Sequence, residues 1–273
     1  MEGSTKRIGF IGGGAMAEAL VSGLLRAGTF SPGDISVSDI SEARLGYIKE
    51  KYRVDVQREN AALVKSAEII VLAVKPQVVG QVLEEAGPWF GEGQLLVSIA
   101  AGVKTSFLES FLTFPVPVVR VMPSTPCLVG EGAIAVCPGR FARAEHLELA
   151  KSILSTAGRV VEVPEALMDC VTGLCGSGPA YMYLVLEAMA DGAVRLGLAR
   201  DKALLLAAQT MLGSAKMVLE TGEHPARLRE MVTTPGGTTI EGLFELEKGA
   251  LRAVMMKAVE SASRRAAELS LGE

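Results

Sequence analysis

The chain has 273 residues, 49% of them hydrophobic and 21% charged, a composition typical of a folded globular protein and unlike that of a disordered one. Its net charge of −4 is in the range that favours solubility and gives no indication of nucleic-acid binding. The longest apolar run, at residues 180–186, is far shorter than the roughly 20 residues of a membrane-spanning helix. We therefore expect neither nucleic acid nor a membrane as a partner.

The N-terminal residues pass directly into an apolar, strand-like run, so we expect no signal or transit peptide and a cytoplasmic location. The four cysteines form no C-x-x-C pair, and none lies at zinc-ligand spacing from either of the two histidines. We therefore predict no metal site and buried thiols, because free cysteine behaves as a small core residue. The cysteines are Cys127, Cys137, Cys170 and Cys175.

The first half of the chain alternates short apolar runs with amphipathic stretches, which predicts a doubly wound α/β sheet with right-handed crossovers. The run at 68–74 is almost entirely apolar, as expected for a parallel strand buried on both faces. The predicted strands are residues 7–11, 35–38, 68–74, 95–99, 116–122, 133–137 and 159–163. The predicted helices are residues 15–27, 41–51, 76–86 and 143–156, with Ser41 as a helix cap.

After about Pro164 no strand pattern remains, and the sequence predicts helices only. We therefore predict a first domain at residues 1–163 and an all-helical second domain at residues 164–273. Residues 203–208 are apolar on more than one helix face, so they form either a core helix or an interface between subunits, and we favour the interface. The predicted helices are residues 166–196, 201–220, 225–231, 239–247 and 250–269.

Directly after the first predicted strand, the sequence reads Gly12-x-Gly14-x-x-Ala17, a pattern that binds dinucleotides when a strand precedes it and a helix follows. Gly12 permits the tight turn, Gly14 lets the backbone approach a pyrophosphate, and Ala17 lets the helix pack close to the strand. The alternative is a glycine turn without a ligand. The pattern predicts a Rossmann-type first domain, with a cofactor-binding segment of Phe10, Ile11, Gly12, Gly13, Gly14, Ala15 and Met16.

Asp39 ends the second predicted strand, where an acid commonly binds the adenosine ribose and repels a 2′-phosphate. Its alternative role is that of a cap before the next helix. Arg44 is close enough to accommodate a phosphate, so the sequence leans toward NADH and leaves NADPH open. We also assign Asn60 to cofactor binding.

Two later segments lie just beyond the ends of predicted strands, where ligands of open α/β sheets bind. Small residues at these places let the backbone approach a nicotinamide ribose. The predicted cofactor contacts are Ala73, Val74, Lys75 and Pro76 in the first segment and Ala100, Ala101 and Gly102 in the second. Lys75 is equally well explained as a surface lysine.

The densest signal in the second half is TTPGGTT, from Thr233 to Thr239, between two predicted helices. Its central Pro-Gly-Gly predicts a turn, and the threonines after it open a helix whose backbone N–H groups suit a carboxylate. A plain loop with a capped helix start is the alternative.

Taken together, these segments resemble the pyrroline-5-carboxylate reductase family over nearly the whole chain. Two positions depart from the family pattern, since Ser124 stands where Asn is usual and Thr234 where Ser is frequent. Asp39 is unusual for members that prefer NADPH. The motifs that carry the resemblance are FIGGGAMA, LAVKP, SIAAG, RVMPSTP, GLCGSGPAY, AAQTMLGSAKM and, most specific of all, MVTTPGGTTIEGL.

The resemblance implies a Rossmann domain followed by an all-α dimerisation domain. It implies hydride transfer from NADPH or NADH to L-1-pyrroline-5-carboxylate, a cyclic imine, giving L-proline in the last step of proline biosynthesis. It also implies a homodimer with interlaced helical domains, dimers that often assemble into decamers, and an active site formed by one subunit's cofactor and its partner's helical domain.

A cyclic imine can arrive already protonated, so the enzyme needs orientation and a hydrogen bond to nitrogen more than a strong acid. We therefore predict that Thr239 contacts the imine nitrogen, and that the backbone amides of Gly237 and Thr238 bind the carboxylate. Thr234 is a second predicted catalytic residue. Gly236 and Ser177 complete the predicted substrate site.

Two other functions compete with this interpretation. β-Hydroxyacid dehydrogenases share the domain order, but Met182 stands where their catalytic lysine is expected and Leu186 replaces their asparagine. A methionine cannot carry protons, which argues against that chemistry. The other alternative is a non-catalytic module that senses NAD(P).

Overall fold

The computed structural model describes residues 6–270. Its eight strands are β1 (Ile8–Ile11), β2 (Ile35–Ser38), β3 (Asp55–Gln57), β4 (Ile69–Leu72), β5 (Leu95–Ser98), β6 (Val118–Met122), β7 (Gly132–Pro138) and β8 (Gly158–Glu162). They form one sheet in the order β3-β2-β1-β4-β5-β6-β7-β8. Neighbouring strands are parallel except β6 and β7, which are antiparallel. The predicted parallel arrangement is therefore wrong at this one pair.

Helices cover both faces of the sheet. They are α1 (Ala15–Ala27), α2 (Glu42–Tyr52), α3 (Asn60–Ser66), α4 (Val79–Ala86), α5 (Thr105–Ser110), α6 (Ala144–Leu154) and α7 (Met168–Val171). The Ser41 cap predicted from the sequence is present, because its hydroxyl accepts a hydrogen bond from the Arg44 N–H at 3.3 Å. Gly28, with φ 67°, ends α1.

Alternate residues of the central strands pack into two separate cores, one on each side of the sheet. Ile8 and Phe10 of β1 belong to one core, and Ile11 belongs to the other. In the same way, β4 sends Ile69 to the first core and Ile70 to the second. This double burial explains the unbroken apolar runs, because a central strand has no face in water.

The second half is helical, as predicted, but the expected continuous helix at residues 166–196 is wrong. The chain instead forms α7, then a π-helical turn at Thr172–Gly176, and then α8 (Gly178–Arg195). Glycines at 173 and 176 and Pro179 explain the interruption, because glycine loses more backbone entropy in a helix than other residues and proline fits only a helix start. The remaining helices are α9 (Arg200–Thr221), α10 (Pro225–Met231), α11 (Thr238–Lys248) and α12 (Leu251–Ser270).

The chain divides into two compact units whose boundary lies later than the predicted one at 163/164. The first unit extends to Gly176 and also contains the end of α12 from Ala262 on, while the second unit spans Ser177–Ser261. The first unit continues past residue 163 because Met168 packs with Ala135 and Cys137 in a small buried cluster. No helix among residues 6–270 is long and apolar enough to cross a membrane.

Candidate functional site

The carboxyl ends of neighbouring strands bring the predicted cofactor segments together in the first unit. The Gly12 N–H donates to the Ser38 carbonyl at 2.8 Å, which joins the loop after β1 to the end of β2. The Ala73 N–H donates to the Ile11 carbonyl at 2.8 Å, which joins the loop after β4 to the end of β1. These loops therefore form one edge of the sheet, the edge at which Rossmann-type folds bind nucleotides.

The glycine loop fits a pyrophosphate. Gly12 has φ 98°, and a Cβ there would lie 2.7 Å from the Ala73 carbonyl oxygen, so only glycine is accommodated. Gly14 is exposed, and a Cβ there would meet no atom within 4 Å. It caps α1, whose first N–H groups have no partner within the helix and favour an anion.

A cavity of about 220 Å³ lies beside this loop, where the adenosine end of a dinucleotide would bind. Five predicted cofactor residues line it: Ile11, Gly12, Asp39, Asn60 and Val74. The Ser38 hydroxyl donates to the Asn60 side-chain oxygen at 2.8 Å and so orients that side chain. Sequence reasoning missed the other lining residues, Ser38, Ile40, Val78, Gln81, Val82 and Glu85. Positions 78, 81, 82 and 85 follow helical spacing directly after the predicted segment 73–76, which is the signal that identifies them.

Not every predicted cofactor residue faces this cleft. Phe10 is fully buried in the core of the sheet, which corrects its predicted role. Met16 is half-buried and packs against the same core. Ala15 is the exposed first residue of α1. The others lie at the loops, with Gly13 and Ala100 buried, Ala73, Val74, Pro76 and Gly102 half-buried, and Lys75 and Ala101 exposed.

Asp39 is held in place by two backbone groups. Its Oδ2 accepts the Gly13 N–H at 2.8 Å, and its Oδ1 accepts the Ser41 N–H at 2.8 Å. The carboxylate therefore braces the glycine loop against the start of α2. Ser41 is the N-cap of α2, so Asp39 contacts the cap residue and is not itself the cap. The same carboxylate also lines the adenosine cavity.

Glu18, on the first turn of α1, is the centre of a charged cluster. The Arg44 guanidinium pairs with Glu18 and also donates to the Gly13 carbonyl. Burial raises the pKa of Glu18, but hydrogen bonds outweigh it and lower this pKa to about 2. The donors, in decreasing effect, are Lys51, Arg44, Tyr52 and Tyr47.

The loop after β5 is anchored by a partly buried ion pair. The Glu165 carboxylate accepts the Thr105 N–H and hydroxyl, each at 2.8 Å, just beyond Gly102. Arg120, only 4% exposed on β6, donates to Glu165 at 3.2 Å. Burial raises the pKa of Glu165, but the Thr105 hydrogen bonds and the Arg120 charge outweigh it and hold the pKa below its usual range.

The threonine-rich segment of the second unit forms a tight turn that opens α11. Gly236 has φ 65°, and the Gly237 N–H donates to the Thr234 carbonyl at 3.0 Å, which closes the turn. Thr238 is the first residue of α11 and is exposed, whereas Thr239 is half-buried. A Cβ on Gly237 would lie 2.2 Å from the Thr234 hydroxyl oxygen, so a larger residue there requires the Thr234 side chain to rotate.

This turn corrects one predicted contact. The Gly237 amide was expected to bind a carboxylate, but it is already committed to the Thr234 carbonyl. The first-turn amides of Thr238 and Thr239 have no acceptor within α11, because a helix leaves its first N–H groups unpaired. These two amides are therefore the better candidates for an anion.

The remaining predicted residues are spread more widely. Ser177 is half-buried at the start of α8. Cys127 and Cys137 are buried as expected, but Cys170 is exposed and Cys175 is half-buried, which corrects the prediction of four buried thiols. Burial raises the pKa of Cys137 to about 12. Across residues 6–270, no group of three or more His, Cys, Asp or Glu side chains is placed to hold a metal.

Comparisons with known proteins match both units. Residues 165–269 match a family model described as pyrroline-5-carboxylate reductase dimerisation. Residues 7–102 match a model described as NADP oxidoreductase, coenzyme F420-dependent. A pyrroline-5-carboxylate reductase of Methanosarcina acetivorans is 48% identical over 97% of this chain and 98% of its own length.

The chain belongs to the pyrroline-5-carboxylate reductase family. A pyrroline-5-carboxylate reductase from Coxiella burnetii has the same fold, with a TM-score of 0.93 and 40% identity over 97% of this chain and 99% of its own. The Plasmodium falciparum pyrroline carboxylate reductase, whose structure has NADP bound, matches with a TM-score of 0.86 and 32% identity over 97% and 98% of the two chains. The predicted family and the predicted fold class, a Rossmann-type domain followed by a helical dimerisation domain, are thus confirmed.

Proposed function

We propose that this protein reduces L-1-pyrroline-5-carboxylate to L-proline, the last step of proline biosynthesis. One hydride and one proton are added across the C=N bond, and NADPH or NADH leaves as NADP⁺ or NAD⁺. The observation that carries the proposal is the Thr234–Thr239 turn, which opens a helix without a side-chain cap and contains three threonines, in a chain whose family is known.

The first unit holds the nucleotide. Gly12 and Gly14 let the backbone approach the pyrophosphate, and the start of α1 neutralises part of its charge. Asp39 and Asn60 line the adenosine cavity. We assign the nicotinamide end to Ala100, Ala101 and Gly102, in the loop after β5. The bound cofactor supplies the hydride, and the residues of the first unit hold the cofactor in position.

The second unit supplies the groups that orient the imine. We assign the substrate carboxylate to the first-turn amides of Thr238 and Thr239, and the ring nitrogen to the Thr239 hydroxyl. Thr234 and Gly236 shape the turn, and Ser177 is a further substrate contact. A protonated imine is a competent hydride acceptor, and its N–H donates to the Thr239 hydroxyl oxygen, so these groups need only orient it and no strong acid is required.

The assembly and location are also proposed. The match to a dimerisation model favours a homodimer, with decamers of five dimers as the larger assembly that the family resemblance implies. We place the reaction in the cytoplasm.

The test is a spectrophotometric assay of purified protein with L-1-pyrroline-5-carboxylate, run with NADH and NADPH side by side. We expect loss of reduced-cofactor absorbance and formation of L-proline in equal amounts. Cofactor binding without turnover would favour a sensing module. Turnover of a β-hydroxyacid in place of the imine would favour the dehydrogenase alternative, although Met182 at the lysine position is 37% exposed and has no titrating group.

A further inference from the structure

The adenosine cavity carries negative charge. Asp39 and Glu85 both line it, and among the described residues that do so there is no lysine or arginine. A phosphate monoester adds about −1.5 to −2 charges near neutral pH. Because the 2′-phosphate is all that distinguishes NADPH from NADH, NADPH alone meets this repulsion.

Asp39 cannot turn away at little cost. Each of its oxygens accepts a backbone N–H at 2.8 Å, from Gly13 and from Ser41. Rotation of the side chain to admit a phosphate would leave both N–H groups without their acceptor, and charge-assisted hydrogen bonds of this kind are the stronger ones. The Asp39 carboxylate is therefore held in its position at the cavity.

The cationic side chain of Arg44 lies close by, but its guanidinium already contacts other groups. Arg44 is three residues beyond Ser41, and its guanidinium donates to the Gly13 carbonyl and pairs with Glu18. The same guanidinium lies over the Tyr47 ring, 5.0 Å from its centroid. Glu18 is only 18% exposed and also accepts hydrogen bonds from Lys51 and Tyr52, each at 2.9 Å, so it is a fixed anion.

We propose that Asp39 and Glu18 together set the nucleotide preference of this enzyme for NADH. Asp39 repels the 2′-phosphate. Glu18 keeps Arg44 in an ion pair, so Arg44 is not available to bind that phosphate. This inference rests on the nucleotide half of the proposed function and is independent of the imine.

The arrangement predicts that the two carboxylates act synergistically. With Glu18 alone removed, Arg44 can pair with the neighbouring Asp39, so NADPH gains little. With Asp39 alone removed, the repulsion is relieved but Arg44 stays on Glu18. With both removed, the 2′-phosphate becomes the best remaining partner for the guanidinium, which binds phosphate in a bidentate manner.

The experiment is isothermal titration calorimetry of NADH and NADPH with the wild type, Asp39→Ser, Glu18→Ala and the double variant, without imine. We expect the wild type to bind NADH more tightly. The ratio Kd(NADH)/Kd(NADPH) should rise about tenfold in Asp39→Ser, less than about threefold in Glu18→Ala, and about a hundredfold in the double variant. Adenosine 5′-monophosphate and adenosine 2′,5′-bisphosphate, which differ only in the 2′-phosphate, should follow the same order.

Three further variants make the test specific. Glu42→Ala removes an exposed carboxylate from the same turn of α2 without touching Arg44, and it should leave the ratio unchanged. Arg44→Leu in the double variant should return the ratio to that of Asp39→Ser. Glu18→Gln keeps the side-chain volume and should act in the same direction as Glu18→Ala. A partly unfolded sample lowers the binding of both nucleotides alike, so the ratio remains interpretable.

The proposal is overturned if the wild type prefers NADPH, if the double variant gives no more than the product of the single effects, or if Arg44→Leu leaves the gain intact. These results concern nucleotide affinity alone. An enzyme that failed to reduce pyrroline-5-carboxylate would still give the predicted ratios, so the two failures are distinguishable.

Discussion

Thr239 is the second residue of α11 and is half-buried. Among the predicted substrate residues, Thr239 and Ser177 are the ones that combine a hydroxyl group with a half-buried position. The side chain of Thr238 is exposed instead, which suits a role carried by its backbone. Because Thr238 and Thr239 differ in this way, the proposed mechanism is tested by removing the Thr239 hydroxyl group alone.

We expect Thr239→Val to lower kcat/KM for the imine about 10- to 150-fold, because it removes a hydrogen bond to a charged partner worth roughly 1.5–3 kcal/mol. Valine keeps the branched shape of threonine, so packing changes little. Steady-state kinetics with both cofactors, and cofactor titration in the absence of imine, make the measurement. Cofactor affinity should not move, since the turn and the nucleotide cleft belong to different units.

Thr238→Val is the matched control and should retain nearly full kcat/KM. If Thr239→Val were as active as the wild type, or lost cofactor binding to the same degree, the hydroxyl would be a helix cap and nothing more.

At the residue scale, the sequence predicted where residues lie in the fold better than it predicted their hydrogen-bond and ion-pair partners. The glycine pattern placed Gly12 and Gly14 correctly at the start of α1 because their conformational demands are local. It could not show that the Gly237 amide is taken by Thr234, nor that Arg44 is taken by Glu18 across 26 residues of chain. Such pairings depend on tertiary geometry, which local patterns do not encode.

At the scale of elements, β7 and β8 approach each other most closely where two glycines face. Gly132 and Gly158 are paired in register, and a Cβ on Gly158 would lie 2.0 Å from the Gly132 carbonyl oxygen. Only glycine fits there, because the obstacle is backbone and cannot rotate away.

We expect Gly158→Ala to destabilise the protein by about 2 kcal/mol or more, since the strands must separate to admit the methyl group. Chemical denaturation followed by circular dichroism measures the change. The control is Gly46→Ala in the middle of α2, where a Cβ meets no atom within 4 Å. That change should stabilise the protein by up to about 1 kcal/mol through helix propensity. Equal effects of the two substitutions would contradict the steric argument.

Glu165 connects three elements, since its carboxylate is hydrogen-bonded to the start of α5 and ion-paired with β6 while it lies just before α7. Its pKa in the folded state is below the usual value of 4.5. A carboxyl group of this kind stabilises the fold at pH above its unfolded pKa, and this contribution is lost as the pH falls through the folded pKa.

We therefore expect the stability advantage of the wild type over Glu165→Gln to be constant near neutral pH and to shrink as the pH drops below 4.5. Urea denaturation at a series of pH values gives both curves. Glu145→Gln, exposed at the start of α6, corrects for the change in net charge. A difference between wild type and Glu165→Gln that stayed constant through the acid range would show that this carboxylate has no depressed pKa.

Elements with a strong local signal were predicted well, and those without one were missed. The central strands β1, β4 and β5 stand out because they are almost entirely apolar, and β2 stands out through its alternating β-branched residues Ile35 and Val37. The edge strand β3 has three residues and no buried one, so its pattern resembles a loop. The antiparallel direction of β7 also leaves no signal in the sequence, because strand direction is set by the connection and not by composition.

At the scale of the whole molecule, the second unit exposes many large apolar side chains. Only Ala190, Ala203 and Ala207 form its buried cluster, while Leu205 is 69% and Phe244 64% exposed. Exposed apolar surface on this scale marks an association site. This agrees with the dimerisation model that matches residues 165–269 and with the interface predicted for α9.

We expect light scattering of the active protein to give at least twice the monomer mass, and Leu205→Glu in α9 to shift it toward monomer with loss of activity. A charge buried at an interface without a partner costs several kcal/mol. Val129→Glu, which adds the same charge at a 73% exposed position of the first unit, should change neither mass nor activity. A fully active monomer would contradict the assignment of this surface.

The return of α12 to the first unit has a consequence for how the chain folds. The Ser270 hydroxyl donates to Asp169 at 3.4 Å, and a Cβ on Gly102 would lie 3.3 Å from that hydroxyl. The loop after β5 is thus flanked by a residue that lies far later in the sequence, beyond the whole of the second unit. Contacts between residues so distant in sequence carry a large loop-closure entropy, and proteins rich in such contacts fold slowly. We therefore expect the sheet of the first unit to form before the loop after β5 acquires its final surroundings.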